Sequence, residues 1–292
     1  MKQRNTYCVG GYLFAIEAQP EQLAQLSNYT PFLTDEKGAS QMFVIHVSDE
    51  KLPVTDEWEH VYTDCSEEDM PRIEMYRKVD EWLFRVAYTR DSDVVCAMRC
   101  MADWREVTLY MQADALRFAV DNAAMLTYAF CTAGHKTLLF HASVTIREGR
   151  GYLFLGKSGT GKSTHSQLWQ RAFADAELLN DDNPVVRLFA NGTVRVYGSP
   201  WSGKTPCYKA QSVLVGALVQ LEQAPLNNIQ PLKMTQAYPY ILASVSGLKM
   251  QPELMDRLYE SIAQLLERCE VYKMACLPNL EAAQLCAQTC LS

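Results

Sequence analysis

Three groups of residues in this 292-residue chain have types and spacings that could do chemistry together. The first is Gly156-Lys-Ser-Gly-Thr-Gly-Lys162-Ser163, which satisfies G-x-x-x-x-G-K-[ST]. Gly156, Gly159 and Gly161 let the backbone curl with its N–H groups pointing inward, a nest for an anion. The nest opens onto a helix N-terminus, whose unpaired N–H groups and dipole favour phosphate. Lys162 supplies a mobile positive charge for β- and γ-phosphates, and the Ser163 hydroxyl suits Mg²⁺. The nucleotide-contacting set expected from this pattern is Gly156, Ser158, Gly159, Thr160, Gly161, Lys162, Ser163 and Thr164. An apolar run, Tyr152–Leu155, precedes the loop and a helical pattern follows it, which is the context such a loop requires.

The second group is Asp181 and Asp182, in Leu178-Leu-Asn-Asp-Asp-Asn-Pro184. They lie one helix and one return strand beyond Lys162. Phosphoryl transfer needs a carboxylate to help hold Mg²⁺ or to orient the attacking oxygen. The same composition also suits a plain turn. Beside a phosphate loop, the expectation is that Asp181 orients or deprotonates an acceptor hydroxyl and Asp182 joins Ser163 at the metal. The third group is His141. Along Leu138–Ile146 the side chains alternate, and His141 shares a face with Leu139, Ser143 and Thr145. With Ile146 paired to Tyr152 across the following turn, His141 falls opposite Lys157, at the mouth of the loop; a one-residue slip would turn it to the other face. A catalytic and a structural role are both open to it on this geometry. His165, on the first turn of the loop's helix, reads as a surface residue. Gly198-Ser-Pro-Trp-Ser-Gly-Lys204 is a further glycine-flanked loop: Trp201 could pack on a base and Lys204 could reach phosphates, or the segment is an ordinary turn.

The elements that must position these groups follow from periodicity. Residues 1–110 read as strands and turns, with β-rich runs at Phe43–Val47, Trp82–Tyr88 and Val107–Met111 and an acidic turn at Asp64–Asp69. At Ala113–Cys131 the period changes to a helical one, with Gly134 placed to stop it. The expected division is therefore a β-rich N-terminal domain, 1–110, and a nucleotide-binding domain, 111–292. In the second, two apolar runs around Arg147–Gly151 read as a hairpin, and Val185–Phe189 with Thr193–Tyr197 as another, turned by Asn191-Gly192. Val213–Leu221 reads as a buried strand and Pro252–Arg268 as an amphipathic helix. Hairpins on both sides of one loop–helix unit predict an α/β fold with a mixed sheet rather than a βαβ series.

Composition sets outer bounds. With 27 Lys+Arg against 34 Asp+Glu, the net charge is −7, so nothing favours duplex nucleic acid, whose binding rests on clustered cations. No apolar run approaches the ~18–20 residues that cross a bilayer. Residues 1–20 lack a signal-peptide core. The ten cysteines contain no Cys-x-x-Cys pair and suit reduced thiols in a cytoplasmic protein.

The order His141, hairpin, Gly156-x4-Gly-Lys-Ser163, Asp181-Asp182 resembles the C-terminal kinase domain of HPr kinase/phosphorylase, over roughly residues 135–205. That resemblance implies a phosphoenolpyruvate-carboxykinase-like P-loop fold. It implies a kinase using ATP and Mg²⁺ on a serine of a small protein or peptide, with a homo-oligomer as one option. It places His141 and an aspartate at the transfer site, Lys162 on phosphates, and Ser163 with an acidic group at the metal. The family's Glu-x-Arg-Gly signature is replaced here by Arg195-Val-Tyr-Gly198, which argues against a dephosphorylating activity and against HPr as substrate. The chain is more similar to the HPr-kinase-related group, some of whose members serve peptide modification. No Asn-Lys-x-Asp guanine motif occurs, which favours ATP over GTP. A non-catalytic nucleotide-binding regulatory module and a small-molecule kinase are the alternative readings.

Overall fold

The computed structural model describes residues 1–35, 41–65, 71–203, 205–247 and 251–291. The chain forms two compact units, the first holding Met1–Cys131 and the second Thr132–Gly247 with Pro252–Ser292.

The first unit is built on a mixed sheet. Its strands are β1 (Gln3–Val9), β2 (Tyr12–Ala18), β3 (Gln41–Val47), β4 (Glu59–Asp64), β5 (Arg72–Lys78), β6 (Glu81–Ala87), β7 (Val94–Met101) and β8 (Glu106–Met111), in the order β1-β2-β3-β8-β7-β6-β5-β4. Most neighbours are antiparallel, but β3 runs parallel to both β2 and β8. A short helix, α1 (Pro20–Gln25), follows β2, and a long one, α2 (Leu116–Thr132), follows β8. The acidic segment expected as a turn lies in part, at 66–69, outside the described residues. The boundary near residue 111 needs correction. Helix α2 packs with the first sheet: Phe130 sits 5.7 Å from Phe84 and 4.8 Å from Trp104, and the Tyr128 hydroxyl donates to the Val9 carbonyl at 3.0 Å. Burying its apolar face there carries the helix into the first unit. Gly134 does not itself end the helix through a left-handed turn. A 3-10 turn, Ala133–His135, follows, and Lys136 takes the left-handed conformation (φ 52°).

The second unit has one mixed sheet from β9 (Thr137–Leu139), β10 (Ala142–Arg147), β11 (Arg150–Leu155), β12 (Glu177–Asn180), β13 (Val185–Leu188), β14 (Val194–Tyr197), β15 (Ser212–Gln223), β16 (Asn228–Pro231) and β17 (Val271–Cys276). The main path is β12-β10-β11-β15-β14-β13-β9, with β17 joined to β15 and β16 to β17. Helices α3 (Lys162–Ala172), α4 (Met234–Ser244), α5 (Pro252–Leu266) and α6 (Leu280–Cys290) complete it. Both faces of the sheet are covered. One face, with Leu138, Phe140, Ala142, Val144 and Ile146, packs under α4 and α5. The other, with Tyr152, Phe154, Val219 and Met274, packs under α3 and α6. Among the described residues, no helix is long and apolar enough to cross a membrane.

The first hairpin differs from expectation by one residue. Thr145, not Ile146, pairs with Tyr152, and Arg147 pairs with Arg150. The connection is the two residues Glu148 and Gly149, both at positive φ (50° and 73°), which matches the twist of the flanking strands. The expected five-residue loop missed this because Tyr152, Leu153, Phe154 and Leu155 are all buried, so neither face was marked as polar. One step beyond the last pair, Ala142 with Leu155, His141 lies across from Gly156 rather than Lys157.

Candidate active site

Strand β11 delivers the chain into Gly156 at φ 149°, where a Cβ would meet Thr160 at 3.0 Å. Gly161 caps α3 at φ 105°, a left-handed geometry that disfavours any side chain. The Thr160 hydroxyl closes the loop by donating to the Lys157 carbonyl at 2.7 Å. Lys162 is the first residue of α3 and is buried, and its ammonium reaches three acceptors: Gly156 O at 2.9 Å, Lys157 O at 3.3 Å and His141 Nε2 at 2.9 Å.

An ammonium can only donate, so Nε2 of His141 accepts and the imidazole carries its proton on Nδ1. That proton points to Asp182 Oδ1, 3.0 Å away. A continuous chain thus runs Asp182–His141–Lys162, from a half-exposed carboxylate to the amine of the phosphate loop. Backbone bonds hold its middle in place: His141 N–H donates to Ser244 O at 2.7 Å and Ala142 N–H to Asp182 O at 2.8 Å. The second oxygen of Asp182 accepts from Asn183 Nδ2 at 2.7 Å.

Asp181 points elsewhere. It is buried, and Oδ1 accepts from the Ser143 hydroxyl at 2.7 Å, which is itself 2.6 Å from Ser166 Oγ on α3. Its Oδ2 is buried without a partner. The two neighbouring aspartates therefore have opposite surroundings. One is tied to an imidazole; the other keeps an unused carboxylate oxygen beside the helix that starts at Lys162 and Ser163. The turn that separates them is held from below. Asn180 Oδ1 accepts from Asp182 N–H at 3.0 Å, and its Nδ2 donates to Ser199 Oγ at 3.2 Å and Trp201 O at 3.1 Å. Gly203 passes close enough that a Cβ would lie 3.1 Å from Asp181 O.

Of the residues singled out in the sequence, the structure brings Lys162, His141 and Asp182 into contact, while Asp181 turns to Ser143. Asp182, expected at the metal with Ser163, contacts His141 at 3.0 Å, and the carboxylate oxygen buried without a hydrogen-bond partner is Oδ2 of Asp181. Trp201 is buried at 3% exposure and lines neither cavity beside the loop. Lys204 lies outside the described residues. His165 is a core residue, not a surface one: it accepts from Trp169 Nε1 at 3.2 Å, lies edge-on to Phe154, and burial pushes its pKa down to about 4. Ser143 and Ser166 were missed as partners. Their signals were a serine on the His141 face of β10 and a serine three residues after Ser163, hence on one helix face.

Beside the loop, on the α3 side of the sheet, a cavity of about 520 Å³ is bounded by Gly159–Gly161, Thr164, Leu168, Leu221, Leu277 and Pro278. Its size and largely apolar walls suit a nucleoside. Gln223 stands at its edge, its amide donating to Gly159 O at 3.2 Å.

No family model matches this chain, and no curated protein does. Among solved structures it is similar to the Hpr(Ser) kinase/phosphatase from Coxiella burnetii, at 15% identity and a TM-score of 0.29, over 52% of this chain and 93% of that one.

Proposed function

We propose that the chain is an ATP- and Mg²⁺-dependent kinase that transfers the γ-phosphoryl group to a hydroxyl, with a serine of a small protein or peptide as acceptor. The observation that carries this reading is the Asp182–His141–Lys162 chain, because it ends on the phosphate-loop amine at one side and on a half-exposed carboxylate at the other.

The loop amides and Lys162 would hold the triphosphate, with the base in the apolar cavity. Lys162 would exchange its two loop-carbonyl partners for phosphate oxygens while His141 keeps it aimed. Ser163 and Asp181 fit Mg²⁺, since a hydroxyl at the helix start and a buried, unpartnered carboxylate oxygen are hard oxygen donors. Mg²⁺, when bound, offsets charge on the β- and γ-phosphates. Asp182 would accept the proton of the acceptor hydroxyl. That hydroxyl oxygen forms its bond to the γ-phosphorus as the bond to the β,γ-bridging oxygen breaks, and ADP leaves with the electron pair. His141 orients Asp182 by donating Nδ1–H, the role of a hydrogen-bonded partner to a general base. The first unit is proposed to help recognise the acceptor.

Incubation with γ-labelled ATP, Mg²⁺ and serine-containing peptides or a lysate tests the reading. Label on a hydroxyl of an acceptor supports it. Tight ATP binding with neither transfer nor hydrolysis would make the chain a nucleotide-regulated binding module instead.

A further inference from the structure

A second cavity borders the phosphate loop. It measures about 490 Å³ and lies on the α4 side of the sheet, between Lys157 and Ser158 of the loop, Glu222 of β15, Tyr240 of α4 and Lys273 of β17. It shares Gly159, Thr160, Leu221 and Gln223 with the nucleoside cavity but differs from it in its charged lining. Among the described residues that line it, Leu221 is the one aliphatic, and the charged ones are Lys157, Lys273 and Glu222. Glu222 pairs with Lys273 at 2.6 Å, which leaves the charge of Lys157 in excess along this lining, in a protein whose net charge is −7. A cleft of that balance favours an anion.

Its position ties it to the reacting groups. Tyr240 stands one helical turn, about 6 Å along the axis, from Ser244, whose carbonyl holds the His141 N–H at 2.7 Å. On the opposite wall, the carbonyl of Lys157 holds Lys162 Nζ at 3.3 Å. Both walls thus lead to the His141–Lys162 contact, where the proposed kinase would hold the terminal phosphate.

We propose that this cleft binds the acceptor, and that the acceptor carries a carboxylate near the hydroxyl that is phosphorylated. The fate of the hydroxyl rests on the kinase reading; the binding of the carboxylate does not. The carboxylate has two sources, a free hydroxy amino acid or an acidic residue beside a serine in a peptide.

The test uses the full chain loaded with Mg²⁺ and a non-hydrolysable ATP analogue. The probes are L-serine, its amide, and three serine peptides that differ only in whether Glu, Gln or Lys flanks the serine. Calorimetric binding should favour the Glu peptide over the Lys peptide by at least tenfold, or L-serine over its amide by as much; whichever pair discriminates identifies the source. Lys273→Gln should reduce the preference below threefold, Lys273→Arg should restore most of it, and affinity for the ATP analogue should stay within twofold in both. Equal binding of all probes, or a loss of ATP-analogue affinity in Lys273→Gln, overturns the proposal, the latter by giving the cleft to the nucleotide. With ATP itself, a preferred probe that binds but is not phosphorylated leaves the cleft assigned and removes the kinase reading. Phosphorylation indifferent to the flanking charge does the reverse.

Discussion

Asp182→Asn removes one negative charge from the site with almost no change of shape. Asp182 Oδ1 accepts from His141 Nδ1 at 3.0 Å and Oδ2 from Asn183 Nδ2 at 2.7 Å. An amide can keep only one of these bonds, because its NH₂ side would face the NH₂ of Asn183. Losing a charge-assisted bond and setting donor against donor costs on the order of 1–2 kcal/mol of stability, since ionic hydrogen bonds are worth about twice neutral ones. A domain stable by roughly 5–15 kcal/mol stays folded after that loss. The effect on turnover is much larger. An amide cannot accept the acceptor's proton, and removing a positioned base lowers rates by about 10²–10⁴, or roughly 3–5 kcal/mol of barrier. Acceptor phosphorylation at saturating ATP, calorimetric ATP affinity and a denaturant melt, measured on one preparation, separate these terms. The expected result is at least a hundredfold lower turnover, ATP affinity within threefold and a melt shifted by a small amount. Turnover reduced less than tenfold, or reduced in step with ATP affinity, would refute the assignment of Asp182 as base.

Three further outcomes are expected. Asp181→Asn should abolish most of the Mg²⁺ enhancement of nucleotide affinity, because it removes the buried oxygen that has no protein partner; titrating ATP with and without Mg²⁺ checks this. His165 is held neutral by burial, with its pKa lowered from 6.5 to about 4. The unfolded chain therefore binds the extra proton first as pH falls, so this contribution is full above pH 6.5 and is lost toward pH 4. On the order of 1–2 kcal/mol should disappear between pH 6.5 and pH 5, and denaturant melts of His165→Gln should lack that slope. Tyr152→Phe removes a buried hydroxyl that has no partner, so the variant should melt no lower than the parent and up to about 1 kcal/mol more stably; a clear loss would reveal a hidden partner.

How much of this was legible in the sequence depended on what constrains each position. The phosphate loop was readable because its glycines and lysine are demanded by backbone geometry and charge at fixed spacing. The second hairpin was readable because Asn191-Gly192 is turn chemistry, and Gly192 does sit at φ 88°. The register of the first hairpin was not, because a strand buried on both faces carries no polar mark of which way it faces. The roles of Asp181 and Asp182 were beyond spacing alone. Adjacent residues at a strand end diverge, and only Ser143, Ser166 and His141, brought in from other elements, decide which carboxylate faces which partner. Helix α4, which holds His141 in place and walls the second cavity, went unread because Pro239 lies inside it and breaks the usual helical signature. Trp201 looked available in a glycine-flanked loop, yet hydrogen bonds through Ser199 and Asn180 draw that loop into the core.

The most direct measurement of the central claim is a crystal structure with Mg²⁺ and a non-hydrolysable ATP analogue. The account requires the terminal phosphate within about 3 Å of Lys162 Nζ, with His141 still bonded to Asp182 and that carboxylate open to the side away from ADP. An analogue bound elsewhere, or Asp182 turned from the phosphate with its bond to His141 broken, would contradict it.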